Sequence, residues 1–132
     1  MTGKIDVGTF ERMMEALPVE LSFVDADDAV RYFNKNGNRL FPRPKGIIGR
    51  KVQSCHPKKS VGRVEEILKG FKDGTLGEAE FWIQAKDRMI YIRYFPVRDE
   101  GGKYVGCLEA TQDVTRIRQL KGEKRLLRQD VG

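Results

Sequence analysis

This sequence predicts an α+β domain: one five-stranded antiparallel sheet with helices on one face, and a flanking helix at each end. Three observations carry that prediction. Residues 78–115 hold three apolar, extended segments separated only by short polar or glycine-bearing breaks. Such breaks join antiparallel neighbours, because a parallel return needs a crossover of about a dozen residues or more. Residues 20–34 read as two further strands around an Asp-rich turn. Between the two groups, Val61, Val64, Ile67, Leu68 and Phe71 recur at helical spacing, so an amphipathic helix separates the strand pair from the meander and must pack on the sheet.

Taken in order, Val7, Phe10, Met13, Met14 and Leu17 form one face of a helix over 6–17 that Pro18 stops. That helix either covers the sheet or pairs two subunits. Glu20–Asp25 alternates as a strand, Asp25–Asp28 turns, and Ala29–Asn34 returns. Lys35–Phe41 reads as a short helical piece ended by Pro42-Arg43-Pro44, and 45–52 as a loop. Ser60 is placed to cap the helix over 61–72, which Asp73-Gly74 ends. Strands follow at 79–84, 89–97 and 104–111, with Gly101-Gly102 in the last turn. A basic helix from Arg116 to about Arg128 closes the chain, with Ile117, Leu120 and Leu127 on a heptad-like seam. The expected divisions are a flanking helix over 1–17, the domain over 18–115, and a signalling or linker helix over 116–132.

The chain of 132 residues is one domain's worth, with 39% hydrophobic and 33% charged residues, a balance that fits a soluble globular protein. No apolar run approaches the roughly 20 residues that span a bilayer, and no secretory signal is visible, so a cytoplasmic location is expected. Cys55 and Cys107 fit neither a disulfide framework nor a zinc cluster, and free thiols suit a reducing compartment. The net charge of +6 is uneven. No acidic residue lies between Asp28 and Glu65, a span holding Arg31, Arg39, Arg43, Arg50 and Arg63 among others, and a second basic cluster follows Thr115. Such clusters can attract nucleic acid, but no helix-turn-helix, zinc finger or RNP-type aromatic signature accompanies them, so nucleic acid is not the expected partner.

This order of elements, with particular residues in it, resembles a PAS domain. Asn34 ends the second strand; Ile48-Gly49-Arg50-Lys51-Val52 resembles the hydrophobic-Gly-basic step before the long helix, and His56-Pro57 the His-Pro that precedes it. Pro96-Val97-Arg98-Asp99 followed by Gly102-Lys103-Tyr104-Val105-Gly106 is similar to the PAS hairpin, and Asp113-Val114-Thr115-Arg116 to its closing Asp-Ile-Thr-x-Arg motif. The likeness runs from about Leu17 to Thr115. Cys55-His56-Pro57-x-x-Ser60, Ala79–Ile83 and Ile92–Phe95 further resemble the PAS domains that bacteria and archaea carry beside hemerythrin-like domains.

The resemblance implies a non-catalytic sensory or interaction module, dimeric, binding a small ligand between sheet and helices, and fused to or partnered by an output domain. The side chains expected at such a pocket are Phe23, Phe33, Ile48, Val64, Leu68, Phe81, Ile92 and Leu108, with Trp82, Tyr94 and Arg93 as polar edges. Signal would leave through Asp113, Thr115 and Arg116. No partners stand at recognisable spacing around the single histidine for a Ser/His/Asp or zinc-protease site, and no phosphate-cradling glycine loop is present, so no enzyme is expected. His56 is either a turn residue bonded to backbone or an axial metal ligand to haem, with Cys55 as a second candidate ligand in a haem-dependent gas or redox sensor. A flavin is not expected: where photoreactive flavin PAS domains have Asn-Cys-Arg-Phe-Leu-Gln, this chain has Val52-Gln53-Ser54-Cys55-His56-Pro57.

Overall fold

The computed structural model describes residues 2–35 and 37–127. Helix α1 spans Val7–Ala16, strands β1 and β2 span Glu20–Asp25 and Val30–Phe33, and helix α2 spans Lys58–Asp73. Strands β3, β4 and β5 follow at Ala79–Ala85, Arg88–Arg98 and Tyr104–Asp113. The five strands form one antiparallel sheet in the order β2-β1-β5-β4-β3, with β1 and β5 joining the hairpin to the meander.

Register decides which side chains face α2. Ser22 pairs with Glu109 and Val24 with Cys107, and Glu109 also pairs with Tyr94 of β4. These residues share the inner face, and their immediate neighbours point the other way, because side chains alternate along a strand. Val24, Val30 and Cys107 meet Ile67, Leu68 and Phe71 of α2 in the core. Phe71 is fully buried, and each such side chain contributes about 1.5–3 kcal/mol by leaving water. Gly74, with φ of 81°, ends α2 in the left-handed region that favours glycine. On the outer face Gly106 lies under the Phe23 ring and beside the Val24 carbonyl; a Cβ there would collide with both.

Asn34 ties three elements together and is completely buried. Its Oδ1 accepts from the Leu21 N–H at 2.6 Å, and its Nδ2 donates to the carbonyls of Met14 (2.7 Å) and Val19 (3.0 Å). Helix α1 is capped by Asp6, whose carboxylate accepts from the Thr9 N–H at 2.7 Å. It buries none of its residues, and Val7, Phe10 and Met13 are exposed. Of its two expected roles, α1 does not cover the sheet with that face.

Three local expectations are corrected. Residues 37–41 form turns, not a helix; the short helical pieces are 3-10 turns at Lys45–Ile47 and Val52–Cys55. Ser60 does not cap α2: the helix begins at Lys58 after Pro57, and the Ser60 hydroxyl donates to the Pro57 carbonyl at 3.0 Å. No α-helix follows Thr115 among the described residues. A single 3-10 turn at Ile117–Gln119 is followed by irregular chain to Leu127, while Arg128, the expected helix end, lies outside the described residues. The run 116–127 is rich in Lys and Arg, and its apolar residues Ile117, Leu120, Leu126 and Leu127 are all exposed rather than packed on the domain.

Candidate functional site

Between the inner face of the sheet and α2 lies a chamber of about 30 Å³, enough for about two waters. Val24 and Val30 of the sheet and Val52 of the 3-10 turn before α2 wall its apolar part, together with Val64, Ile67 and Leu68 of α2. Its polar end is made by Ser22, Arg43, His56, Tyr94 and Glu109, with Cys107 between the two.

The Arg43 guanidinium donates to the Glu109 carboxylate at 3.1 Å, with side-chain exposures of 13% and 12%. Pairs this dry are less screened than surface ones. Arg43 Nε is buried without a hydrogen-bond partner among the described residues. Arg43 also lines two outer clefts, one with Ile47 and Cys55 and one with Gly37 and Arg39, so it borders all three cavities. Burial, and then the neighbouring Glu109 charge, raises the Tyr94 phenol far above its usual value. Burial pushes the Cys107 thiol up to about 12, which keeps it protonated and unreactive at neutral pH.

A second buried ion pair holds the chamber's loop wall. Arg39 and Glu20 approach at 3.6 Å, with side chains 1% and 6% exposed. Arg39 donates to the carbonyls of Leu21 (3.2 Å), Asn34 (2.7 Å) and Phe41 (3.1 Å) and to the Ser22 hydroxyl (3.3 Å). Glu20 in turn accepts from the backbone N–H groups of Leu40 and Phe41. Desolvation lowers the Arg39 pKa and the Glu20 charge opposes that effect. The loop that carries Arg43 is therefore fastened to β1 by charge and backbone hydrogen bonds.

Of the expected pocket residues, Val64, Leu68 and Tyr94 line the chamber. Phe33 and Phe81 pack partly buried against the core, Phe81 edge-on to the Tyr94 ring at 6.0 Å, without lining the chamber. Ile92 shares the inner face through its pairing with Thr111, one step beyond Tyr94 and Glu109. Phe23 and Leu108 are corrected: they face each other in β1 and β5, one residue out of phase with the inner set, and so lie on the outer face. Trp82 and Ile48 are corrected too, at 62% and 45% exposed; Ile47, not Ile48, fills the core. Arg93 lies on the outer face with its guanidinium over Tyr91 and Phe95. Arg39, Arg43, Glu20, Ser22 and Glu109 were not expected. The signal available was polar residues at strand positions in phase with Val24 and Cys107.

His56 lines the chamber with Nδ1 3.1 Å from the Val52 carbonyl, so Nδ1 carries a proton and Nε2 is the free nitrogen. Cys55 lies outside, in the cleft with Ser54 and Arg50, its thiol 3.8 Å from the Lys51 carbonyl. A porphyrin does not fit a chamber of about 30 Å³ closed by an ion pair, and His56 and Cys55 open on different cavities. No group of three or more His, Cys, Asp or Glu side chains that could hold a metal occurs among the described residues.

At the far end of β5, Asp113 accepts from the Thr115 N–H at 3.0 Å and hydroxyl at 2.6 Å. The Thr115 oxygen accepts from the Met89 N–H at 2.9 Å, and Arg88 pairs with Asp113 at 3.0 Å. The two Thr115 bonds, then Arg88, hold the Asp113 carboxyl at about 2. Neither residue caps a helix: the 3-10 turn begins after Arg116, which makes no side-chain cap bond.

A single antiparallel sheet with one helix across its inner face and a small chamber between them define an α+β domain. Comparison with known proteins agrees. A family model described as PAS domain matches residues 10–115. The chain belongs to the PAS domain family. It is similar to the C-terminal domain of a Streptococcus mutans protein, at 28% identity and TM-score 0.85, covering 92% of this chain and 94% of that one. A PAS domain from Colwellia psychrerythraea matches at 19% identity and TM-score 0.59, covering 83% and 98%. A sensory box sensor histidine kinase from Vibrio cholerae matches at 14% identity and TM-score 0.58, covering 81% and 90%; these last two likenesses show the fold alone. No curated protein matches the chain. No helix among the described residues is long and apolar enough to cross a membrane.

Proposed function

We propose that this chain is a non-catalytic sensory and interaction module that binds a small ligand in the chamber between β5 and α2 and relays its presence through β5. The observation that carries the reading is a partly open cavity, lined mostly by apolar side chains with a few polar ones at its wall, inside a PAS fold. Strand β5 contributes Cys107 and Glu109 to that cavity and ends four residues later at Asp113, whose bonds reach Thr115 and Arg88. A ligand that shifts Glu109 acts on a continuous strand whose end anchors the outgoing chain, and it transmits only if the two arrangements bind it with different affinity.

The Vibrio cholerae neighbour is a sensor histidine kinase and the Streptococcus mutans neighbour a C-terminal domain, which support a place beside an output domain. The Cys55-His56-Pro57 and Ala79–Ile83 motifs favour the subgroup carried with hemerythrin-like domains, and two free thiols favour a cytoplasmic setting. The module pairs with a second copy through α1, where Val7, Phe10 and Met13 are exposed on one face. Phe10→Glu then converts dimer to monomer in analytical ultracentrifugation; an unchanged mass removes α1 from the assembly.

The binding reading is tested by thermal-shift screening of small metabolites against the wild-type chain and Val64→Phe, which fills the chamber. Hits that raise the melting temperature of the wild type and not of the filled variant support the chamber. Hits indifferent to the filling, or no hit at all, count against it.

A further inference from the structure

We propose that the outer cleft between the Pro42–Pro44 loop and the 3-10 turn at Val52–Cys55 is a binding site for a small oxyanion, a carboxylate or a phosphate. It is separate from the chamber and independent of the reading given for it. The cleft has about 230 Å³, less than the roughly 300 Å³ at which pockets for drug-sized molecules begin, so its occupant is small. Its polar lining is Arg43, Arg50, Ser54 and Cys55, and Pro42, Pro44 and Ile47 make its apolar part. Each of the four polar side chains carries a donor, and no carboxylate lines the cleft.

Charge decides the class. Glu109 matches the charge of Arg43, whereas Arg50 is exposed and forms no ion pair among the described residues. No acidic residue lies between Asp28 and Glu65, so nothing nearby in sequence offsets it. A guanidinium presents its donors in a fixed fork that matches two oxygens of a carboxylate or phosphate. A cation meets two positive charges here, and an uncharged molecule leaves Arg50 unmatched, so the excess positive charge selects an anion. The arrangement is also preformed. The Arg50 carbonyl accepts from the Val30 N–H at 2.9 Å and its N–H donates to the Ile47 carbonyl at 2.9 Å, which fixes its backbone against β2. Arg43 is held by Glu109 at 3.1 Å and sits between two prolines whose φ is locked. Little backbone freedom is then left to lose on binding. Because Arg43 borders the cleft and holds Glu109, an anion there is one side chain away from β5.

Inorganic phosphate, succinate and succinamide, the uncharged diamide of the same shape, are titrated into the full chain at constant ionic strength. NMR follows the backbone amides of Arg50, Ser54 and Cys55 and the Arg43 side chain. Saturable shifts at these groups with phosphate or succinate, and none with succinamide, are expected; the tighter of the two anions identifies the preferred oxyanion. Arg50→Gln is expected to lose affinity by about tenfold or more. Arg50 is exposed, so its removal leaves both buried ion pairs in place. Lys103→Gln removes the same charge from an exposed turn six residues from Glu109, about 20 Å along the strand and beyond the Debye length of about 8 Å. It is expected to change affinity by less than about twofold. Equal losses in the two variants would show diffuse attraction to a basic surface and overturn the proposal. So would succinamide binding as tightly as succinate, shifts centred away from Arg43 and Arg50, or no saturation by either anion at about 10 mM. If Arg50→Gln does not fold, the contrast between the anions and succinamide on the wild type decides.

Discussion

Arg43 and Glu109, separated by 66 positions in the chain, meet at 3.1 Å where the loop before α2 closes over the sheet. The contact joins the basic run to the strand that leads to the end of the domain. Glu109→Gln removes the charge and leaves Arg43 largely buried without its counter-ion. Unfolding in urea is expected to show a loss of about 1–3 kcal/mol. In a double-mutant cycle with Arg43→Gln, the second substitution is expected to cost less once the first is present, because the stranded charge is gone.

The Arg39–Glu20 pair is drier still. Arg39→Met leaves Glu20 buried at 6% exposure and frees four acceptors, so a loss of about 3–5 kcal/mol is expected in the same assay. A loss below about 1 kcal/mol would mean that the loop is held by something other than this pair.

Asp113 gives the junction an acid dependence of definite sign. Its carboxyl sits at about 2 in the fold against an ordinary 3.8, so the unfolded chain binds the proton more readily. The stabilisation is complete above an ordinary carboxylate pKa and is lost as pH falls from about 4 towards 2. Hydrogen exchange at the Met89 and Thr115 amides is expected to lose protection over that window, and Asp113→Asn to lose the pH dependence. Equal acid sensitivity in wild type and variant would assign it elsewhere.

The five strands, α1 and α2 were legible in the sequence because each alternates or repeats over a long enough span, and short turns fixed the antiparallel order. Faces were less legible. Phe23 and Leu108 looked like pocket residues because they are large and apolar; their pairing in β1 and β5 places them on the outer face, and Ser22 and Glu109 on the inner one. A pattern search that ranks residues by hydrophobicity passes over polar groups in phase with Val24 and Cys107, and those groups form the polar end of the chamber. Arg39 and Arg43 were hidden for a related reason. In a run of ten basic residues without an acid nearby in sequence, nothing local marks the two whose partners lie on β1 and β5. The expected exit helix failed on packing, since Ile117, Leu120, Leu126 and Leu127 of this basic segment stay exposed and bury nothing against the domain.

The central claim is that the space between β5 and α2 accepts a guest beside Arg43 and Glu109. A high-resolution crystal structure of the protein under xenon pressure tests it most directly. The account expects a discrete guest site bordered by Val64, Leu68 and Cys107. Leu68 and Val64 packed directly on Val24 and Cys107, with no space left between them, would contradict it.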